Sequence, residues 1–355
     1  MDKIVNFHRH LVSQGARNFQ ERLLLFLLLP FSYLYGVIVW VRNRCYQFGW
    51  FSSYRASLPV VSVGNLAVGG TGKTPVVDWL VKEFQKQGKR PAVVSRGFAG
   101  NFSGDVGVVS SGAGILMTAA ECGDEPCLLA KRNPDCPVFI AKKRVDAIKI
   151  IESSKNVDLI ILDDGFQHQA VKRDVDLVLL DSTSPLGNGK PLPAGNLREF
   201  PGALKRADLL LMTRAGVQNR QHFMGFKVYE SYHQLSTTAI SLDGQAVPVS
   251  QLSGLKVLAF AGIADPENFF VSLENAGFRL DCKLGFADHV TYQGEILNKL
   301  QLAAADVDAL ITTEKDAVKL SADMFELPCY QLPMDIKINN SKELFDRLTN
   351  RLWSQ

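Results

Sequence analysis

The sequence predicts an α/β fold: a mostly parallel sheet with helices on both faces, joined to a second, smaller α/β lobe and preceded by an apolar helix. Three observations carry this. Short β-branched runs alternate with helical stretches through most of the chain. One of these runs ends in a glycine-rich turn that leads straight into a helix start. An uncharged stretch over residues 23–41 stands ahead of all of them. With 355 residues and 46% hydrophobic content, the chain can bury a large core and divide into two lobes.

The first element, LLLFLLLPFSYLYGVIVWV over residues 23–41, approaches the ~20 apolar residues that cross a bilayer as a helix. Pro30 interrupts it near the middle. Arg9, Arg17 and Arg22 precede it and Arg42 and Arg44 follow, so charge sets no orientation. Tyr33, Tyr35, Trp40 and Trp50 are amphipathic aromatics suited to a headgroup boundary. The late apolar core and the lack of a small-x-small site argue against a cleaved signal peptide. Membrane association is the expected role; the alternative is a helix buried under the first lobe.

Strands are expected at residues 60–63, 92–95, 138–141, 157–162 and 175–180, with helices at 76–86 and 143–153. Residues 226–251, richer in Thr, Ser and Tyr and holding an Asp243-Gly244 turn, read as a two-stranded linker. A second α/β unit starts with the strand at 257–261 and includes one at 309–313. The expected divisions are therefore 1–50, a membrane-associated helical segment; 51–225, the first lobe; 226–251, the linker; and 252–355, the second lobe.

Composition excludes several functions. A net charge of +3 with no basic and aromatic stripe gives no nucleic-acid partner. The cluster Lys142, Lys143 and Arg144 suits contact with an anion but reads first as a solvated helix face. Six cysteines without a C-x-x-C pair suggest neither zinc nor a disulfide framework, and fit reduced thiols in the cytosol.

In VVSVGNLAVGGTGKTPVVDWL a strand, a glycine-rich turn and a helix start follow in order. Val68, Gly69, Gly70, Thr71 and Gly72 form a loop whose N–H groups can turn toward phosphate oxygens. Lys73 reaches the β/γ phosphates, Thr74 offers its hydroxyl to Mg²⁺, and Pro75 suits a first helical turn. Ala67 stands where the general G-x-x-x-x-G-K-[ST] pattern has its first glycine. The first lobe is thus expected to be P-loop NTPase-like, binding ATP and Mg²⁺.

The strand at 157–162 runs into Asp163 and Asp164, where a P-loop enzyme holds its metal; one carboxylate can serve the ion while the other orients a neighbour. Asp181 closes a similar strand and reads as a turn residue. In Gly123-Asp124-Glu125-Pro126 the proline and Glu125 fit a helix start. Asp124, placed just outside it, is left between a structural role and that of a proton acceptor. His289, beside Asp288, reads on its own as a satisfied loop histidine. His168 follows the metal acids and braces their turn. Asn188, Arg198 and Glu199 lie in a Pro/Gly-rich loop and suit either substrate contact or turn capping. Thr313, Lys315 and Asp316 follow a strand, as base-recognition loops do, without the N-K-x-D spacing, and suit a helix cap equally.

Taken together, GNLAVGGTGKTP, SRGFAG, GDEP, LDDGFQH, RDVDLVLLD, PLGNGKPLPAGNLRE, FAGIADPENFF, FADHVTY and TTEKDAVKL closely resemble tetraacyldisaccharide 4′-kinase, the lipid A 4′-kinase of Gram-negative bacteria. The resemblance covers nearly the whole chain, and the family does not require the first glycine that Ala67 replaces. It implies two α/β lobes on a two-stranded linker. It also implies transfer of the γ-phosphoryl group of ATP to the 4′-hydroxyl of a tetraacylated glucosamine disaccharide 1-phosphate, giving lipid IVA. The site would be the cytoplasmic face of the inner membrane, with membrane lipid as a partner and no obligatory protein partner. The family's active-site acid falls on Asp124 and its partner histidine on His289, placed on different lobes. Thr74 and Asp163, helped by Glu125, are then expected to hold Mg²⁺, and Asp164, His168, Asn188 and Arg198 to meet the substrate. A membrane-bound P-loop switch ATPase that recruits proteins is the alternative.

Overall fold

The structure, a computed structural model, describes residues 11–12, 18–215 and 222–353; Arg9 and Arg17 lie outside them. In chain order the first elements are helix α1 (Phe19–Gln47), strand β1 (Val60–Asn65), helix α2 (Lys73–Lys86), strands β2 (Pro91–Ser95) and β3 (Val106–Ser111), and helices α3 (Ala119–Cys122) and α4 (Asp124–Arg132). Strand β4 (Pro137–Ala141), helix α5 (Arg144–Ser154) and strands β5 (Leu159–Asp163), β6 (Val175–Asp181) and β7 (Leu209–Thr213) follow. Next come strands β8 (His222–Phe223), β9 (Phe226–Leu235), β10 (Thr238–Ser241) and β11 (Ala246–Pro248), helix α6 (Val249–Leu252), strand β12 (Lys256–Ala261) and helix α7 (Pro266–Asn275). Strand β13 (Arg279–Gly285), helix α8 (Glu295–Ala303), strand β14 (Ala309–Thr313), helix α9 (Glu314–Ala317), strands β15 (Cys329–Leu332) and β16 (Met334–Ile338) and helix α10 (Ser341–Trp353) complete the chain.

Two compact units form: Met1–Arg96 with Lys143–Tyr232 and Lys337–Gln355, and Gly97–Lys142 with His233–Ile336. This division departs from the one read in the sequence. Residues 97–142 group with the second unit, and residues 226–251 are divided between the two units at Tyr232 and His233. Strand β9 pairs in parallel with β7, whereas β10 and β11 form an antiparallel hairpin in the second sheet. Strand β4 pairs antiparallel with β3.

In the first unit the parallel order is β9-β7-β6-β1-β5-β2. Strands β1, β2, β5, β6 and β7 are buried on both faces, which is why they read as continuous apolar runs rather than alternating ones. Strands β5 and β6 flank β1; the chain passes from β1 to β2 on the β5 side and later crosses from β5 over β1 to β6, so the strand order reverses at β1. Ligands of open α/β sheets bind at the carboxyl end of the strands at such a switch point. Gly64 lies close to this end, and only glycine fits there because a Cβ would collide with Phe166.

Helix α1 is a single 29-residue helix that continues through Pro30 rather than breaking there. At ~44 Å it exceeds a ~30 Å hydrocarbon core. Its N-cap Asn18 accepts a hydrogen bond from the Glu21 N–H at 2.8 Å. Only Ser32, Gly36, Val39 and Asn43 are buried, one helical stripe, while Phe26, Phe31, Leu34, Ile38 and Trp40 are exposed. With 17% of its apolar window buried and a mean hydropathy of 2.2, α1 is long and apolar enough to cross a membrane and is not a core helix.

The stripe has specific partners in the same unit. Ser32 Oγ accepts from the Ala194 N–H at 2.6 Å, Gly36 admits the Phe200 ring, and the Asn43 amide donates to Glu199. Glu199 is in turn held by both terminal nitrogens of Arg206 at 2.9 Å.

The second unit holds a six-stranded sheet ordered β11-β10-β15-β14-β12-β13. Phe269, Phe270 and Leu273 pack on one side of it; Phe260, Tyr292 and Leu300 form the other core. Helix α4 packs on α9, which brings the start of α4 to the carboxyl end of β14.

Candidate active site

The phosphate loop follows β1. Gly72 adopts a left-handed conformation (φ 74°, ψ 32°) and caps α2 without any side-chain hydrogen bond, so the first amides of the helix are left for an anion. Asn65, fully buried, donates from Nδ2 to the Ala67 carbonyl at 2.7 Å and to Thr71 Oγ1 at 2.8 Å. Val68 N–H is fixed by the Asn196 carbonyl at 2.7 Å. Lys73 and Thr74 open the helix, with Pro75 in its first turn, where a missing N–H costs nothing. Lys73 Nζ rests 3.3 Å from Asn65 Oδ1 and 3.5 Å from Asp164 Oδ1.

The acids lie at the end of β5, beside β1. Asp163 is 2% exposed and accepts from Ser95 Oγ at 2.9 Å. Asp164 is not on the strand: its φ of 54° turns it out of the extended backbone that ends at Asp163. Its two oxygens meet Arg198 Nη1 at 2.8 Å, and Gln167 Oε1 accepts from the same nitrogen at 3.2 Å. Burial pushes the Asp164 carboxyl up, but Lys73, Arg198 and Arg144 overcome it and hold the group below the usual carboxylate range.

Arg144, read in the sequence as part of a solvated cluster, is 5% exposed. Its guanidinium lies 3.4 Å from the Asp164 carbonyl and 3.5 Å from His168 Nδ1. Burial, together with Arg144, Arg173, Arg42 and Arg96, pushes His168 down to about 4, so the ring is neutral near pH 7. The ring lies beside the turn after β5 through Arg144, which also reaches the Asp164 carbonyl. Because an unfolded histidine takes up its proton near 6.5 and the folded one only near 4, stability is expected to fall as pH drops between those values. His168→Gln is expected to flatten this part of the curve. Urea midpoints from pH 4 to 7 check it, and identical slopes for the two proteins would contradict it.

Other candidates are committed to structure. Asn188 donates to the Ala194 carbonyl at 2.7 Å and accepts from the Lys190 N–H at 3.1 Å, bonds that cap its turn. Asp181 accepts from Thr183 and pairs with Arg214 at 2.9 Å, and Arg214 in turn donates to the Gly70 carbonyl. Thr313 is the N-cap of α9: its Oγ1 accepts from the Asp316 N–H at 3.1 Å and donates to the fully buried Asp316 carboxylate at 2.7 Å, so the 313–316 segment is a helix cap.

In the second unit α4 begins at Asp124, earlier than expected, so Asp124 and Glu125 both occupy its first turn. Gly123 (φ 91°) makes the junction, where a Cβ would strike the Phe98 carbonyl. Asp124 and His289, expected on different lobes, belong to this same unit. His289 Nδ1 lies 3.0 Å from Asp124 Oδ2, and the ring stacks edge-on against Phe98 at 5.5 Å. His289 itself has a φ of 61°, a strained setting for a non-glycine residue.

Around this pair sit groups the sequence did not single out as a set. Lys319 Nζ is 3.4 Å from Asp124 Oδ2, and Lys315 Nζ is 2.9 Å from Asp288 and 3.6 Å from Glu125. Burial pushes the Asp124 carboxyl up, but the His289 hydrogen bond, Lys319 and Lys315 outweigh it, so Asp124 is held below the usual range. Glu125 therefore lies against Lys315, in a different unit from Thr74 and Asp163. Among the described residues, no three Asp, Glu, His or Cys side chains form a protein-only metal cage.

Residues 24–353 match the family model described as tetraacyldisaccharide-1-P 4′-kinase. The chain belongs to the tetraacyldisaccharide-1-P 4′-kinase family. Two relatives named tetraacyldisaccharide 4′-kinase are similar over most of their length. The protein from Syntrophotalea carbinolica is 44% identical over the whole of both chains. That from Geobacter sulfurreducens is 41% identical over 93% of this chain and 94% of its own. The crystal structure of LpxK from Aquifex aeolicus in complex with ATP superposes with a TM-score of 0.79 at 31% identity, over 93% of this chain and 100% of that one.

Proposed function

We propose that this kinase transfers the γ-phosphoryl group of ATP to the 4′-hydroxyl of tetraacyldisaccharide 1-phosphate, at the cytoplasmic face of the inner membrane and with Mg²⁺. One observation carries the choice of a membrane-held acceptor. The stripe of α1 docks on Ala194, Glu199 and Phe200, the loop that sends Arg198 to Asp164 beside Lys73. An apolar helix is thus tied to the phosphate-binding apparatus, as a soluble acceptor would not require.

In the transfer, an acceptor hydroxyl oxygen bonds to the γ-phosphorus while the bond from phosphorus to the β–γ bridging oxygen breaks. ADP leaves, and the hydroxyl proton passes to the Asp124 carboxylate. Lys73 and the loop amides meet the charge on the phosphate oxygens. Arg198 and Arg144 add positive charge beside Asp164. Thr74 and Asp163 suit Mg²⁺ because both offer hard oxygen donors, and Ser95 fixes the Asp163 carboxylate. When bound, the ion neutralises phosphate charge. The low Asp124 set point is compatible with a loose transition state, in which the hydroxyl needs orientation first and gives up its proton late.

The test is ATP consumption by full-length enzyme in detergent, with and without an acylated glucosamine disaccharide 1-phosphate. Consumption is expected to depend on the acceptor, and mass spectrometry to show one added phosphoryl group. Equal ATP consumption without acceptor would favour a switch ATPase. Removal of residues before Ser52 is expected to shift the protein from the membrane to the soluble fraction. A truncated chain that stays wholly membrane-bound would move the membrane contact to another surface.

A further inference from the structure

Asp124 is held by more than its histidine. Both His289 Nδ1 and Lys319 Nζ engage the same carboxylate oxygen, Oδ2, at 3.0 and 3.4 Å. A proton acceptor held by one oxygen presents the other, Oδ1, to an incoming hydroxyl, and the two cations or donors on Oδ2 decide where Oδ1 points.

The ammonium is fixed from behind. Lys319 Nζ lies 3.0 Å from Asp316 Oδ1 and over the Tyr292 ring at 5.2 Å. Asp316 is fully buried, and its Oδ2 accepts from the Gly262 N–H at 2.9 Å and from Thr313 Oγ1 at 2.7 Å. Gly262 follows β12 and Thr313 ends β14, so two strand ends of the central sheet set the position of Asp316. Charge then alternates outward from a rigid anchor: carboxylate, ammonium, carboxylate. A buried pair of this kind adds little stability compared with apolar packing, so its cost points to a role beyond holding the fold.

We propose that Lys319, anchored by Asp316, is a positioning residue that orients Asp124 Oδ1 toward the acceptor hydroxyl. The inference rests on the reading of Asp124 as the proton acceptor. Misplacing a reacting group by about 1 Å costs on the order of 10²-fold in rate, so Lys319→Met is expected to lower kcat by about 10–10²-fold. If Lys319 acts only through Asp124, KM for ATP and for the acceptor should each stay within about twofold. Lys319→Arg keeps the charge and is expected to recover most of the lost kcat.

The experiment measures kcat and both KM values for full-length Lys319→Met, Lys319→Arg, Asp316→Asn, Asp124→Asn and the Asp124→Asn/Lys319→Met pair. If Lys319 acts through Asp124, the pair is no slower than Asp124→Asn alone. A native kcat for Lys319→Met, a loss confined to KM, or a multiplicative loss in the pair would each overturn the inference. Should Lys319→Met fail to fold, Asp316→Asn decides. It frees the ammonium yet retains an oxygen for the Gly262 N–H, and its kcat is expected to fall while a native kcat overturns the proposal. The two readings fail separately: full activity in Asp124→Asn removes the proton acceptor itself, whereas a crippled Asp124→Asn beside an unimpaired Lys319→Met removes only Lys319.

Discussion

Lys73→Ala is expected to abolish nearly all lipid phosphorylation while leaving a folded protein. Removing a single preorganised donor from developing charge commonly costs ~10²–10³-fold in kcat, and Lys73 contributes a full charge to the β/γ oxygens. The fold should tolerate the change because Asp164 keeps its stronger partner: Arg198 lies 2.8 Å from the carboxylate, and Lys73 only 3.5 Å. No buried carboxylate is orphaned. Thr74→Ala should act in the same direction through the hydroxyl at the head of α2. Acceptor phosphorylation by purified variants, with thermal unfolding as the control, checks both. Near-native turnover in either would remove the phosphate loop from the mechanism.

The parallel sheet was legible because its strands are short, apolar and buried on both faces, and because the phosphate loop follows β1 directly. The apolar helix was legible from length and composition. What the sequence concealed were facts of direction and partnership. A charged run such as Lys142, Lys143 and Arg144 does not disclose which member turns inward; α5 begins at Arg144 and buries only that one of the three. Asp164 looked like the next residue of a strand, but a left-handed φ is a single backbone choice that residue type constrains weakly. The 97–142 segment alternates strand and helix like the rest, and no local pattern records that β3 and β4 pair with each other and join the second unit. Lys319 lies 195 positions from Asp124 in the chain, an ion pair across a distance no spacing rule reaches. Asn65 sat inside the motif, yet its amide joins Ala67 and Thr71, a bond visible only once the loop is folded.

Asp124→Asn is expected to lower kcat by ~10²–10⁴-fold, the usual cost of removing a positioned proton acceptor. The substitution is nearly isosteric, and Lys319 retains Asp316 at 3.0 Å, so the loss should not come from unfolding. KM for ATP should change little, because nucleotide binding rests on Lys73 and the loop amides rather than on this carboxylate. His289→Ala removes the donor 3.0 Å from Oδ2 and should depress kcat in the same direction. The combination is the informative variant. Two groups that serve one proton transfer lose their shared contribution only once, so the double variant should be little slower than the slower single one. Groups with separate tasks would give losses that multiply. Saturating ATP and acceptor isolate kcat, and the four enzymes compared under those conditions form a closed cycle. A multiplicative cycle would dissolve the Asp124–His289 partnership, and a fully active Asp124→Asn enzyme would require the hydroxyl proton to leave by another route.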